Sequence, residues 1–554
     1  MGQLGEEIGS SGPLIVVSNR GPVEHGPGPD GQRTTRRGGG GLVTALSGLA
    51  AMTEAVWVCN AITDEDRAVA RESGGQTFTL DDGTEHHLVR MVETDPQEYH
   101  RFYSIIANPI LWFIQHNLWD LSNAPDITAT ELEAFYSGYV PVNEALAAAA
   151  ADELDRVGPG ATVMVHDYQL YLVPALLRQR CPEVFLHHFV HIPWPAPEAW
   201  KVLPARLREP LLHGLLANDI VAFHTEQYAR SFLHTCQELL ELPVDLSSLS
   251  VQVGNRTVHA RWYPISIDPA ALEAETGSPE VAEIRGRLEN VRREHLILRV
   301  DRTDLSKNIL RGFKAFDQLL RNHPDLTGRV TFLALLQPSR QDVEQYSEYL
   351  GNIRRLVADI NLEHGNAEWQ PIDLRLEDSR PQAMAAYQLF DVLLVNPVLD
   401  GLNLVAKEGM LLNEHDGVLV LSEHAGAHAE LGAFCLSVHP FDIEAQAEAL
   451  WHAIIMDRAE RRARRDACVQ VIRANDIRKW LQQQLADITA LRDPDLVALV
   501  DLTSGARVPP VVPEPMPPVD PTPIDPKGPP IQPDPGVPSP APSPIPPPPE
   551  PQPV

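Results

Sequence analysis

The chain has 554 residues, of which 44% are hydrophobic, and carries a formal net charge of −30. This length exceeds one ordinary domain and predicts two domains with an appendage. So acidic a chain is not expected to bind nucleic acid or an anionic membrane through its overall field. No apolar run reaches the roughly 18 residues that a membrane-spanning helix needs, which predicts that nothing crosses a membrane.

Residues 1–13 lack the basic start and apolar core of a secretory signal, so we expect a flexible N-terminus and a cytoplasmic protein. The five cysteines are widely spaced and include no CxxC pair. That spacing argues against a disulfide framework and against a zinc site. Free thiols in a reducing compartment are therefore expected.

Short apolar runs alternate with helical spacing between residues 14 and 268. Alternation of this kind is typical of βαβ units and parallel sheets, so segment 14–268 is predicted to be one Rossmann-like domain. The predicted strands are 14–17, 161–165, 185–192 and 219–223, and a helix is predicted at 42–52.

The alternation restarts after the junction at 263–265 and predicts a second Rossmann-like domain at 269–491. Two doubly wound α/β domains would then face a cleft, with ligands beyond the carboxyl ends of the strands. Its predicted strands are 296–300, 330–336, 392–395 and 418–421, with helices at 308–320, 339–357 and from 445 to 491.

The composition changes abruptly after a linker at 492–508. Residues 509–554 are dominated by proline and cannot build a packed core, so a disordered tail with polyproline II character is predicted. A solvated spacer is the simplest interpretation of this tail. A role as ligand for a proline-recognition module stays open.

Four glycines, 38–41, follow two arginines and precede the predicted helix at 42–52. Glycine lets a backbone approach an oxyanion closely, and a helix start adds free N–H groups. The spacing is not GxGxxG. A purely structural glycine loop is the alternative.

Two cations, Arg302 and Lys307, follow the predicted strand 296–300 and lead into a helix, where they could grip a diphosphate. Two unit charges about 4 Å apart interact by about 4 kcal/mol at an effective dielectric near 20. The alternative is that both cations form surface ion pairs with Asp301 and Asp304.

A second polar loop follows the predicted strand 392–395. The N–H groups of residues 402–405 are predicted to form an anion nest at a helix start, with Glu408 one turn further on to accept from ribose hydroxyls. Asp400 precedes the nest and could hold a sugar hydroxyl. The alternative for Asp400 is a helix N-cap.

Polar residues also end two strands of the first half, at His166-Asp167-Tyr168 and at His191. A lone histidine there is usually structural, but two such ends facing two in the second half favour a shared site. No Asp-x-Asp metal pair ends a strand, and residues 64–66 are predicted to be a solvated turn. No metal is expected.

In this order and spacing the motifs resemble family 20 of the retaining glycosyltransferases, the trehalose-6-phosphate synthases, especially actinobacterial ones, over residues 14–491. The string DGLNLVAKE at 400–408 is the most specific. The resemblance implies a GT-B fold, with an acceptor-binding first domain and a nucleotide-sugar-binding second domain. It implies transfer of glucose from UDP- or GDP-glucose to glucose 6-phosphate. A different phosphorylated acceptor, as in a pseudo-glycosyltransferase or a glucosylglycerol-phosphate synthase, and a non-catalytic regulator are the alternatives.

The resemblance also implies residue roles, with no cofactor and no metal, and it leaves the donor base and a homo-oligomeric state open. Catalytic roles fall to Asp167, His191, Arg302, Lys307 and Asp400. Donor binding falls to Gly40, Gly41, His191, Arg302, Lys307, Asp400, Asn403, Leu404, Val405 and Glu408. Acceptor binding falls to Arg20, Tyr103, Trp112, Asp167 and Arg340.

Overall fold

The structure is a computed structural model, and it describes residues 12–28, 32–37, 46, 55–81 and 86–492. Gly40 and Gly41, nearly all of the helix predicted at 42–52, and the predicted linker and tail beyond residue 492 lie outside the described residues. The predictions made for them therefore stay predictions. Within the described ranges, no helix has both the length and the apolar character needed to cross a membrane.

The described strands form two large sheets and one hairpin. In chain order they are β1 (Leu14–Ser18), β2 (Val23–Pro27), β3 (Arg33–Arg37), β4 (Val56–Asn60), β5 (Phe78–Asp81), β6 (His86–Val92), β7 (Thr162–His166), β8 (Phe185–Phe189), β9 (Ile220–Phe223), β10 (Val244–Asp245), β11 (Ser250–Val253), β12 (Arg256–Trp262), β13 (His295–Arg302), β14 (Val330–Gln337), β15 (Ile372–Arg375), β16 (Val392–Val395), β17 (Val418–Ser422) and β18 (Leu436–Val438).

Helices cover the faces of these sheets. The α-helices are Asp64–Glu72, Pro96–His100, Phe113–Gln115, Ala129–Ala134, Val140–Val157, Val173–Arg180, Pro197–Trp200, Ala205–Leu215, Glu226–Leu240, Pro269–Thr276, Pro279–Val291, Ile309–Asn322, Glu344–His364, Arg380–Tyr387, Leu404–Leu412, His428–Leu431, Ile443–Ile455, Arg458–Ala474 and Ile477–Arg492. Two π-helical segments, Arg101–Trp112 and Phe135–Tyr139, lie in the first half.

The first sheet has the order β10-β11-β12-β9-β8-β7-β1-β4-β6-β5. Its central strands, from β12 to β6, pair in parallel, while β5, β10 and β11 are antiparallel additions at the edges. Every residue of β1 and β7 is buried, as expected for strands covered on both faces. The winding reverses between β1 and β7, so the chain leaves these two neighbouring strands in opposite directions.

The second sheet is parallel throughout, in the order β15-β14-β13-β16-β17-β18. Numbered along the chain, this is the order 3-2-1-4-5-6 of a doubly wound dinucleotide-binding sheet. The winding reverses between β13 and β16, which makes the carboxyl ends of these strands the expected ligand site. The predicted class, α/β with two doubly wound sheets, is confirmed.

The last helix, Ile477–Arg492, returns to the first sheet. Arg492 Nη1 donates to Thr162 Oγ1 at 2.8 Å, and the ring of Trp480 lies 5.4 Å from that of Phe189. The final helix therefore contacts the first sheet although its sequence follows the second. The domain boundaries proposed from the sequence stay predictions.

Candidate active site

The loop after β13 and the loop after β16 meet where the winding of the second sheet reverses. Lys307 Nζ lies 2.6 Å from Asp400 Oδ2 and 4.0 Å from Asp301 Oδ1. Asp400 Oδ2 also accepts from Asn403 Nδ2 at 3.0 Å. The ion pair of Lys307 with Asp301 that the alternative predicted is therefore present, but it is buried rather than at the surface, since the Asp301 side chain is only 5% exposed. Two motifs that lie about a hundred residues apart in the sequence thus share one site.

Burial would lower the pKa of Lys307, but Asp400 and Asp301 hold it above its usual value. Burial would likewise raise the pKa of Asp400, and Lys307 holds it below the usual value. Both groups are therefore charged at neutral pH. In this pair the Lys307 ammonium can stabilise negative charge on a ligand, and the Asp400 carboxylate can accept a hydrogen bond from a sugar hydroxyl.

Arg302 points into the same region from the end of β13. Its Nη2 donates to Asp304 Oδ2 at 2.6 Å, so the predicted alternative of a pair with Asp304 is confirmed as a contact. Asp304 is fully buried, however, while the Arg302 side chain is 45% exposed. The Arg302 guanidinium carbon lies 5.9 Å from the centre of the Trp112 ring. A buried carboxylate therefore orients a cation whose other side stays accessible.

Helix Leu404–Leu412 begins directly after Asn403, which adopts a φ of 81° in the left-handed region. Because Asn403 is the residue at the cap, the alternative that Asp400 is the helix N-cap is wrong. No side chain caps this helix start. The N–H groups of Leu404 and Val405 are therefore among those with no intrahelical partner, as an anion nest requires.

Glu408 lies one turn into this helix. Its Oε2 accepts from Tyr387 Oη at 3.2 Å. Burial raises the pKa of Glu408, and Arg380 partly opposes that rise. A carboxylate at this depth has acceptor capacity left for a ligand hydroxyl, as the predicted ribose contact needs.

Asp167 follows β7 of the first sheet with a φ of 76°. Such a backbone conformation is strained for aspartate and occurs preferentially at functional sites. Its Oδ1 accepts from the N–H of His191 at 3.1 Å. Burial raises the pKa of Asp167 to about 6.

His191 lies in the loop beyond β8, since that strand ends at Phe189 rather than at residue 192 as predicted. Its Nε2 lies 3.1 Å from Nδ1 of His166. Burial, together with His224 and His166, holds the pKa of His191 well below its usual value. The polar residues that follow β7 and β8 are therefore in direct contact with each other.

Four residues that the resemblance implied for the acceptor converge on one wall of the cleft. The Arg340 guanidinium carbon lies 4.1 Å from the centre of the Trp112 ring. Burial would raise the pKa of Tyr103, but Arg340 and Arg20 hold it below the usual value, which requires all three groups to be near each other. Arg340 itself is not helical as predicted, because the helix begins at residue 344 and Arg340 has a φ of 48°.

The π-helix Arg101–Trp112 positions this wall. Segments of π-helix are rare and are frequently found at functional sites. Within it, Asn108 Nδ2 donates to the carbonyl of Tyr103 at 3.0 Å, and Asn108 Oδ1 accepts from Tyr168 Oη at 2.6 Å. The segment therefore ties Tyr103 and Trp112 to the loop that carries Asp167.

Residues from the two halves of the chain are in direct contact at the site. Tyr228 Oη donates to the carbonyl of Asp400 at 2.9 Å, and Ser104 Oγ donates to Asp342 Oδ2 at 2.6 Å. A Cβ atom at Gly401 would lie 2.0 Å from the carbonyl oxygen of His191, so only glycine allows this approach. The predicted convergence of polar loops from both halves is confirmed.

Comparison with known proteins decides the family. Residues 12–490 match Glycosyltransferase family 20. The chain belongs to glycosyltransferase family 20. A bifunctional trehalose-6-phosphate synthase/phosphatase of Thermoproteus tenax is 35% identical over 84% of the chain, which spans 62% of that relative's length. A trehalose-6-phosphate synthase of Mycobacterium bovis is 34% identical over 85% of the chain and 93% of the relative.

Two solved structures that are similar to this chain are described with bound ligands. The UDP-forming α,α-trehalose-phosphate synthase of Burkholderia xenovorans in complex with glucose-6-phosphate is 28% identical, with a TM-score of 0.72 over 86% of this chain and 100% of that chain. An E. coli structure, described as trehalose-6-phosphate bound with UDP-2-fluoro glucose, is also 28% identical, with a TM-score of 0.71 over 86% of this chain and 98% of that chain. The GT-B fold implied by the resemblance is confirmed.

His116 of this family 20 member was not among the predicted site residues. Its ring stacks on Trp112 with the centres 4.0 Å apart, and its Nδ1 lies 2.8 Å from the carbonyl oxygen of Trp112. Burial lowers the pKa of His116 to about 4, although Asp400 and Asp304 oppose the shift. A lone histidine between Gln115 and Asn117, outside any recognised motif, carries no signal that would have revealed this position.

Tyr346 was missed as well. Its hydroxyl accepts from Arg340 Nη1 at 2.5 Å, and its ring lies under the same guanidinium. The solvated turn predicted at 64–66 is also wrong. These residues begin helix Asp64–Glu72, and Asp66 is buried, with its Oδ1 2.8 Å from His25 Nδ1.

Proposed function

We propose that this chain is a retaining glucosyltransferase that makes trehalose 6-phosphate from a nucleoside-diphosphate glucose and glucose 6-phosphate. The pair formed by Lys307 and Asp400, 2.6 Å apart beside an uncapped helix start, carries this proposal. It puts a cation for the diphosphate and a carboxylate for the donor sugar at the winding reversal where nucleotides bind in such sheets. The named activities and ligands of the similar proteins support the same reaction.

The donor is expected to lie along the second sheet. The diphosphate would meet Arg302, Lys307 and the N–H groups of residues 403–405, and Glu408 would accept from the ribose. His191 and Asp400 would contact the donor glucose. UDP-glucose is the first donor to test, because the Burkholderia xenovorans relative is UDP-forming. The choice between uridine and guanosine stays open.

The acceptor is expected to lie along the first sheet. Arg340, Arg20 and Tyr103 would hold its phosphate over the ring of Trp112, and Asp167 would accept from a sugar hydroxyl near the reacting carbon. This set favours a phosphorylated acceptor. A panel of phosphorylated acceptors separates glucose 6-phosphate from the glycerol phosphates and cyclitol phosphates of the alternative transferases.

The proposed chemistry needs no protein nucleophile. The acceptor hydroxyl would attack from the face on which the diphosphate leaves, and a leaving-group oxygen would take its proton. Catalysis would then consist of positioning the two substrates and stabilising the departing diphosphate. Arg302 and Lys307 supply the charge that a metal ion supplies in other transferases, so we propose a metal-independent reaction.

Measurement of nucleotide release tests the proposal directly. UDP-glucose and GDP-glucose are each incubated with the full-length chain, with and without glucose 6-phosphate. We expect nucleotide release that depends on the acceptor, with equal formation of trehalose 6-phosphate. Absence of release with every donor and acceptor would favour the non-catalytic regulator instead. Deletion of residues 509–554 should leave turnover intact if the chain is an enzyme. If the chain is instead a regulator that acts through its tail, the same deletion should abolish that regulation.

We also propose that the protein is cytoplasmic. The five cysteines are free, and four of them are buried, which fits a reducing cytoplasm. A homo-oligomeric state stays open and is measured by light scattering of the purified chain.

A further inference from the structure

Glu423, His424 and His439 form a cluster at the carboxyl ends of β17 and β18, on the outer side of the loop that carries Asp400. Their candidate ligand atoms all lie within 4.8 Å of one another. Glu423 Oε1 lies 4.0 Å from His424 Nε2 and 3.9 Å from His439 Nε2. The three side chains are between 36% and 49% exposed, so an ion in solution can reach them.

The hydrogen bonding of His424 prepares it to act as a ligand. Its Nδ1 lies 2.9 Å from the carbonyl oxygen of Val398, and a carbonyl can only accept. The proton of the neutral ring is therefore on Nδ1, and the lone pair of Nε2 faces Glu423. A histidine whose second nitrogen donates to a backbone carbonyl is the usual arrangement for a metal ligand.

Among the described residues, no lysine or arginine forms an ion pair with this cluster. Within the described part of the chain, Glu423 forms ion pairs with His424 and His439 only, and with no lysine or arginine. The Glu423 carboxylate therefore has no permanently charged partner within ion-pair distance among the described residues. The cluster therefore combines a negative charge with imidazole nitrogen donors.

A second cluster, Asp317, Glu363 and His364, provides a contrast within the same chain. There Arg321 pairs with Asp317 at 3.2 Å and with Glu363 at 2.6 Å. His364 Nε2 already lies 2.7 Å from Asp317 Oδ1. This second cluster is satisfied by its own arginine, so it serves as a matched control.

We propose that Glu423, His424 and His439 bind one divalent transition-metal ion of the zinc class. Zinc prefers imidazole nitrogen at about 2.0–2.1 Å and carboxylate oxygen at about 2.0–2.2 Å, which places tetrahedral donors about 3.4 Å apart. The Glu423 oxygen and each imidazole nitrogen, 3.9 and 4.0 Å apart, therefore need to close by about half an ångström. Three protein ligands leave one tetrahedral position for water. His439 must shift its ring proton to Nδ1, which gives up a bond of 3.4 Å from the N–H of Phe441, at the outer limit for hydrogen bonding.

The proposed site is coupled to the donor loop through His424. The N–H of Asp400 donates to the carbonyl of His424 at 3.2 Å, while the His424 ring holds the carbonyl of Val398. An ion on Nε2 would fix this ring and strengthen the bond that its Nδ1 makes to the loop. Metal binding is therefore expected to alter affinity for the nucleotide. This coupling rests on the proposed function, whereas the metal site itself does not.

Calorimetric titration of chelator-treated, full-length protein with zinc chloride tests the site. We expect one ion per chain, with affinity reduced by at least about tenfold in His439→Ala and in Glu423→Gln, since even outer partners of metal ligands are worth that much. The control His364→Ala should bind zinc as the unaltered chain does. The proposal would be overturned if the unaltered chain showed no saturable zinc binding, or if His439→Ala bound zinc as tightly as the unaltered chain. Loss of zinc binding in His364→Ala would overturn it as well. Circular dichroism of each variant checks that the fold is kept.

Titration with UDP, in the presence and absence of zinc, tests the coupling. We expect zinc to change the dissociation constant for UDP in the unaltered chain and to have no effect in His439→Ala. By linkage, UDP must change the affinity for zinc by the same factor. Equal UDP affinity with and without zinc would overturn the coupling. If neither UDP nor GDP binds while zinc binds, the proposed function is wrong and the metal site stands.

Discussion

The guanidinium of Arg340 lies 4.1 Å over the indole ring of Trp112, and its hydrogen-bond partners are the hydroxyls of Tyr346 and Tyr168 rather than carboxylates. This distinguishes it from Arg302, which has a carboxylate partner at 2.6 Å. A cation held by aromatic groups keeps its positive charge available to an incoming anion. Stacking on an indole contributes about 0.5–2 kcal/mol to holding it there.

Replacement of Arg340 should therefore act mainly on acceptor binding. In Arg340→Ala we expect the KM for glucose 6-phosphate to rise by about 10–100-fold, the loss of a charged hydrogen bond worth about 1.5–3 kcal/mol. Arg340→Lys should recover only part of this, because an ammonium neither stacks nor forks in the same way. Steady-state kinetics with varied acceptor measures the effect. The control Arg321→Ala removes an exposed arginine remote from the cleft, and an equal rise in KM there would contradict the assignment.

Replacement of Lys307 should affect turnover and stability together. Lys307→Ala removes the charge opposite the diphosphate, and we expect kcat to fall by about 10²–10³-fold, or about 3 kcal/mol. It also leaves the Asp400 carboxylate without its closest cation, so the free energy of unfolding should fall. The double variant Lys307→Met/Asp400→Asn should recover stability without activity, because both charges are then removed. Urea denaturation and initial rates measure the two effects, and near-normal turnover of Lys307→Ala would refute the proposed mechanism.

Removal of divalent ions should leave the transfer step intact. If Arg302 and Lys307 neutralise the departing diphosphate, EDTA at millimolar concentration will not abolish nucleotide release at saturating substrates. Stripping the proposed zinc site on β17 and β18 is expected to alter substrate affinity rather than kcat. Initial rates before and after chelation, with added magnesium as a control, measure this. Loss of kcat on chelation that magnesium restores would show that a metal carries the charge instead.

The strands around the site could be predicted because their sequences allow few alternatives. The apolar runs in β13 and β16 are buried on both faces of a parallel sheet, and this leaves an uninterrupted signal. Edge strand β15 contains alternating charges and only one buried residue, so no comparable run marks it. The π-helix at Arg101–Trp112 was also beyond prediction, because the usual 3.6-residue periodicity does not describe it.

Some site residues could likewise be predicted from a local sequence pattern, and others could not. Asp400 and Glu408 lie in one continuous string whose geometry follows from a strand, a loop and a helix start. His116 reaches the site only through its stacking on Trp112, a contact that the sequence does not encode locally. Arg340 lies outside the helix that its sequence predicts, since its left-handed backbone precedes that helix.

Asp167 should make the free energy of unfolding depend on pH. Burial raises its pKa from 3.8 to about 6, so between these values the folded state binds more protons than the unfolded state. The free energy of unfolding must then fall as pH rises through this window, by about 3 kcal/mol in all. In Asp167→Asn this fall should be absent. Urea denaturation between pH 4 and pH 7 (about the span of the shift) measures it.

Deprotonation of Asp167, which lowers the free energy of unfolding, should raise the activity. The carboxylate form of Asp167 accepts more strongly from the acceptor hydroxyl than the protonated form, whose O–H is a donor, so kcat/KM should fall below a pH of about 6. Burial holds the pKa values of His166 and His191 well below usual, so neither is expected to produce an acid limb near this pH. The acceptor phosphate itself titrates near about pH 6 and leaves a shallower limb in Asp167→Asn. An acid limb of equal steepness in Asp167→Asn and the unaltered enzyme would mean that the phosphate alone sets the profile and that Asp167 has no part in it.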